Sequence, residues 1–255
     1  MMGNHTQLPP ASNWLVESIR FSLFKDAMGG NPSEWWIKTL GEPPEQKIEQ
    51  PRTGLHRQEL AVEDRKVVLQ VQPGRLDWIW SPIDTIEEAV IESAILPHIG
   101  MFPKITREFA SQIKKWLNAV DDSGFSRVAV GTKLFYPLDD RIDAYRHLGQ
   151  YLTSVELDWT KSTDLVYQIN HPRSSSTRVE NLVINRLMKW AVLTATVRVG
   201  LPVSNGTYNL FAVRLELDIN TKPDQKISLS IDEVKGVFDE LLELSEEIVE
   251  QGETK

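Results

Sequence analysis

The sequence of 255 residues contains no cysteine. That absence removes disulfides, thiolate zinc sites and thiol nucleophiles, so any metal chemistry would rest on histidine or carboxylate. Histidine is scarce as well: His5, His56, His98, His147 and His171 show neither HxxxH nor HExxH spacing, and no metal site is expected from local pattern. There is no GxSxG, P-loop or GxGxxG, and Ser174, Ser175 and Ser176 follow a proline in a turn-like setting. No window approaches the ~20 apolar residues of a membrane span. The start, "MMGNHTQLPPASNWL", lacks a basic segment followed by an apolar run. A soluble cytoplasmic protein with no cofactor and no membrane contact is the expectation.

What is present is enough apolar material, 41% of residues, for one large core or two modest ones. The net charge of −8 is unevenly spread. Residues 231–251 hold eight carboxylates and one lysine, a net −7, whereas residues 170–200 hold five cations against Glu180, a net +4. Such a chain has no broad basic footprint for duplex nucleic acid, although a local basic face could hold a phosphate or a single strand.

Periodicity gives the element order. "WLVESIRFSLF" (14–24) reads as a strand, and "PSEWWIKTLG" as a short helix capped by Ser33 and stopped by Gly41. A proline-rich connection with an edge strand near Ile48 leads to strands at 55–62, 66–72 and 75–81, joined by "EDR" and "PG". A loop or broken helix at 84–100 precedes a helix at 105–120, with Thr106 as its cap. The second half repeats this order: a strand at 126–138, a helix at 139–152 opened by the Asp139 and Asp140 pair, strands at 164–171, 178–188, 190–200 and 208–220, and a helix at 231–251 begun by a Ser230 and Glu233 capping box. Both halves follow β-α-β(3–4)-α, so an α+β fold is expected, with antiparallel sheet and a long C-terminal amphipathic helix. Residues 1–122 and 123–255 form the two halves of one continuous globular unit.

The aromatic residues carry their own expectations. Trp78 and Trp80 share one face of a strand, as core if that face meets the helices and as a stacking platform if it is open. Trp35 and Trp36 are adjacent on a helix and point apart, which leaves one of them exposed or covered from elsewhere.

"NHPRSSSTRVENLVINRLMKW" (170–190) is the most unusual stretch, with four cations, three asparagines and a tryptophan against one carboxylate. Neither face of "RVENLVINRLM" is cleanly polar, which suggests a bulge or turn near Asn185 to Leu187 that sets Asn185 and Arg186 beside Asn170 and Arg173. Guanidinium forks and amides suit carboxylate, phosphate or base recognition. Asn170, Arg173, Asn185, Arg186, Lys189 and Trp190 are therefore the candidate ligand or interface residues. The bland reading is a hairpin whose arginines meet carboxylates, among them those of the 231–251 helix in this chain or a neighbour. On that helix Val234, Val237, Leu241, Leu244 and Ile248 form a stripe for its own sheet or for a partner.

The order of motifs resembles a sporadically distributed family of uncharacterised bacterial and archaeal proteins. The matching pieces are "VVLQVQPGRLDWIW", "WLNAVDDSGFSRVAVGTKLFY", "LVYQINHPRSSS" and "LELDINT" before the terminal helix, over roughly residues 14–250. The opening "LPPASNWLVESIRFSLF" fits that pattern only loosely. The resemblance implies no catalytic residues, and patchy distribution is similar to that of mobile defence or toxin–antitoxin genes. The expectation is a non-catalytic binding or assembly protein, as a homo-oligomer or a subunit of a prokaryotic defence-type complex, partnered by itself or by another protein. The alternative is a nucleotide or single-stranded nucleic-acid sensor using the basic hairpin.

Overall fold

The computed structural model describes residues 8–83, 96–120, 122–201 and 204–253, with the backbone alone at 197–201 and 204–208. The first half comprises β1 (Leu15–Phe24), α1 (Pro32–Leu40), β2 (Gln46–Gln50), β3 (Leu55–Val62), β4 (Arg65–Gln72), β5 (Arg75–Pro82) and α2 (Phe102–Ala119). The second comprises β6 (Ser123–Phe125), β7 (Arg127–Leu138), α3 (Arg141–Tyr151), β8 (Val166–Asn170), β9 (Arg173–Ser174), β10 (Val183–Leu201), β11 (Ser204–Thr221), β12 (Leu229–Ser230) and α4 (Ile231–Gln251).

Ten strands make one sheet in the order β2-β3-β4-β5-β1-β7-β11-β10-β8, with β9 also on β10, and β6 pairs with β12 apart from it. Every pairing is antiparallel. In each half the last long strand returns beside the first, β5 beside β1 and β11 beside β7, and β1 pairs with β7 at the centre. The duplicated order thus builds a single α+β sheet with two meanders meeting back to back.

One face of this sheet is covered. Ile19, Phe21 and Leu23 alternate along β1 with Arg20 and Ser22, and the apolar set is fully buried because side chains point to opposite faces with a period of two. The same alternation buries Trp78 and Trp80 on β5, Val128 and Val130 on β7, and Leu215, Leu217 and Ile219 on β11. Helices α2 and α4 lie on that face with Phe109, Ile113, Trp116, Val237, Leu241 and Ile248 against the strands. Each fully buried side chain of this size contributes roughly 1.5–3 kcal/mol. Trp116 sits at the centre, edge-on to Trp35, Trp78 and Phe21, and Trp36 stacks on Trp78 at 5.9 Å. Trp35 and Trp36 are therefore both core, 7% and 0% exposed, because α2 and β5 approach α1 from two sides; of the two expected outcomes, it is cover from elsewhere in the fold that occurs.

The caps differ from expectation in two places. Asn31, not Ser33, caps α1, its side chain accepting from Ser33 N, since Pro32 needs no donor at the first helical position. Helix α2 starts at Phe102, one turn before the expected Thr106 cap, so Thr106 is a buried helical residue. Gly41 closes α1 in the left-handed region, Asp140 caps α3, and the Ser230 and Glu233 capping box opens α4. Residues 84–95 of the expected loop or broken helix lie outside the described residues. No described helix is long and apolar enough to cross a membrane.

Candidate binding surfaces

The hairpin stretch is positioned by β8, β9 and the start of β10. Its turn lies at 178–182, with Asn181 in the left-handed region at φ 56°, and β10 then runs in unbroken register against β11 from Ile184 to Leu201. The expected bulge near Asn185 to Leu187 is absent, and strands 178–188 and 190–200 are one strand. The mixed polarity has another origin: Ile184, Arg186, Met188 and Trp190 face the helices, and Asn185, Leu187 and Lys189 face away.

The structure brings four of the six candidate residues together, and each of them makes hydrogen bonds within the chain. Asn170 Nδ2 donates to Asn185 Oδ1 at 3.0 Å, Asn170 Oδ1 accepts from Arg186 N at 2.9 Å, and Asn185 Nδ2 donates to Asn220 Oδ1 at 3.3 Å. Arg173 and Arg186 grip the two oxygens of Glu247 on α4, at 3.0 and 3.1 Å. The Arg186 side chain is only 3% exposed. Burial and the nearby Arg173 lower its pKa, against the pull of Glu247. One face further along α4, seven residues earlier, Glu240 accepts from Ser175 Oγ and from Ser176 N, so two carboxylates two helical turns apart staple the loop to the helix.

Lys189 and Trp190 lie apart from that group. Lys189 is on the uncovered face, 3.3 Å from Glu216. Trp190 is fully buried between Trp14 and Tyr151, with ring centroids 6.0 and 5.2 Å away, which leaves no ring face for a base. The stripe of Val234, Val237, Leu241, Leu244 and Ile248 is buried in this chain's own core.

The uncovered face carries a grid of charge that the sequence reading passed over. Antiparallel register sets side chains from neighbouring strands in rows. Arg75, Phe24 and Arg127 form one row across β5, β1 and β7, and both guanidiniums lie over the Phe24 ring, at 5.3 and 4.9 Å. The next row sets Asp77 beside Ser22; Asp77 accepts from Ser22 Oγ and pairs with Arg75 at 2.8 Å. The third sets Arg20, Gly131 and Asp218 across β1, β7 and β11, and the fourth Lys133, Glu216 and Lys189 across β7, β11 and β10. Burial, together with Arg75 and Arg20, lowers the Arg127 pKa, while Asp218 opposes the shift. The signal was legible in principle: Arg20, Asp77, Glu216 and Asp218 each alternate with apolar residues in strands whose other face is core.

A second feature is the outer part of the β10–β11 hairpin. Strand β8 pairs with β10 only as far as Ala191, and β7 with β11 only from Phe211. Beyond those points β10 and β11 pair only with each other among the described residues, up to Leu201 opposite Ser204.

Comparison of the chain with family models, curated proteins and solved structures gives no match in any of the three.

Proposed function

We propose that the chain is a non-catalytic binding and assembly protein in which the β10–β11 ribbon joins one copy to another. The observation that supports this reading is the two-stranded ribbon itself. Residues 192–201 reach about 33 Å past the last pairing with β8 at ~3.3 Å per residue. A lone hairpin is marginal in water, and at least a third strand or a packing surface is needed to hold it. Each ribbon edge offers a row of N–H and C=O groups that no strand pairs among the described residues, the template for adding a strand from another chain. The sequence leaves those edges unguarded: Arg198 is the one charged residue between Trp190 and Val213, where edges meant to stay free carry lysine, proline or inward charge.

The single-stranded nucleic-acid alternative has less to support it, since Arg173 and Arg186 share Glu247 and Trp190 is enclosed. The test is the solution mass by light scattering, with absorbance at 260 nm read before and after nuclease. An oligomer free of nucleic acid is expected. A monomer carrying nuclease-sensitive material would overturn the assembly reading.

A further inference from the structure

The third and fourth rows of the uncovered face enclose a cleft of about 360 Å³ whose charged lining is Arg20, Lys133, Lys189, Glu216 and Asp218. That is at the small end of the ~300–1,000 Å³ range of ligand sites. Its floor is Gly131, where a Cβ would stand 3.2 Å from Arg20 Nη2, so the guanidinium lies flat over the glycine. Lysine 189 is held by Glu216 at 3.3 Å. The other charges have counter-charges nearby, Arg127 for Asp218 and Asp77 for Arg20, but their hydrogen-bonding atoms are not all used. Asp218 has one carboxylate oxygen closed off from solvent with no donor to it among the described residues, and Arg20 Nε is likewise without a hydrogen bond, its closest carboxylate contact being Asp77 at 3.9 Å. Lys133 is exposed and has no ion pair among the described residues.

Arg20 and Asp218 stand in one row with a glycine strand between them, so their strands are about 9.6 Å apart, twice the ~4.8 Å strand spacing. Opposite charges that share a cleft but do not meet leave room for a molecule carrying the complementary pair. An anion alone would satisfy Arg20 and Lys133 and face Asp218; a cation alone would do the reverse. We propose that the cleft binds a small zwitterion of the α-amino-acid type, its carboxylate on Arg20 and Lys133 and its ammonium on Asp218 and Glu216. Charge-assisted hydrogen bonds at both ends fit the short separation of the two groups in such a molecule. This inference is independent of the assembly reading, as the cleft lies on the body of the sheet and not on the ribbon.

The test is calorimetric titration and thermal shift with glycine, L-glutamate and L-lysine as zwitterions, acetate and methylammonium as half-ligands, and AMP as a nucleotide. Saturable binding of at least one zwitterion is expected, with both half-ligands much weaker. Asp218→Asn, Arg20→Gln and Gly131→Ala should each weaken it about tenfold or more, the scale of losing one charge-assisted contact. Lys133→Gln, at an exposed position that leaves folding intact, should weaken it less. No zwitterion binding below about 10 mM, a weak-ligand ceiling, would overturn the inference, as would acetate or AMP binding that Asp218→Asn leaves unchanged.

Discussion

The two faces of the central sheet treat charge in opposite ways. On the covered face the buried charges meet partners: Arg186 has Glu247, and Glu240 has Ser175 and Ser176. His147, packed against Tyr136 and Tyr151, has no partner for Nε2 among the described residues, and burial holds its pKa down to about 4. On the uncovered face Arg20, Arg127 and Asp218 keep nitrogen or oxygen atoms without hydrogen bonds among the described residues, as Arg186 does at Nε on the covered one, but none of the three has among those residues a carboxylate or guanidinium partner within 3.5 Å such as Glu247 gives Arg186. These three side chains are half-buried, so water still reaches part of each group and lowers the cost of the mismatch, whereas a charge left without a partner under the helices would cost several kcal/mol. A basic stretch is thus structural when it faces helices and available when it faces solvent.

The largest test of that contrast is Glu247→Ala. It takes from Arg186 its carboxylate partner inside the covered layer, and a loss of about 3–5 kcal/mol is expected by urea denaturation. Replacing both residues by apolar ones, Arg186→Met with Glu247→Leu, should recover much of that loss; a double variant as unstable as the single one would contradict it.

A second test uses pH. Above the ordinary histidine pKa of 6.5, His147 is neutral in both folded and unfolded chains, so it costs nothing. As pH falls from 6.5 towards about 4, the unfolded chain takes up a proton that the folded one refuses, and stability falls by up to about 3 kcal/mol at 1.36 kcal/mol per unit. His147→Phe should leave the pH 7 melting temperature nearly unchanged and flatten its decline across that window. An unaltered acid profile would mean that the ring is protonated or solvated in the fold.

The smallest effects belong to positions outside the fully buried layer. Arg173→Ala and Asp218→Asn should each change unfolding free energy by less than about 1 kcal/mol. If Arg173→Ala matched Glu247→Ala in severity, the distinction between its half-exposed guanidinium and the buried one of Arg186 would fail.

Much of the architecture was legible because both halves obey simple periods. The 3-4 spacing of Val234, Val237, Leu241, Leu244 and Ile248 marked the face of α4 that packs on the sheet, and Ser230 with Glu233 marked its start. The hairpin was read less well, because Arg186 occupies a core-facing position. Local alternation treats a cation there as a break in the strand, and only the fold shows that Glu247, 61 residues further on, makes the position tenable. The charge grid was missed for a related reason. Arg20, Gly131 and Asp218 belong to three strands, and their alignment is a matter of register, which no single segment encodes.

The most direct measurement is the light-scattering mass of the intact protein beside a variant in which an Asn-Gly turn replaces residues 197–208, joining the paired Thr196 and Asn209. The prediction is a multiple of 29.1 kDa for the intact chain and a stable monomer for the shortened one. Equal masses for the two, or a monomeric intact chain, would contradict assembly through the ribbon.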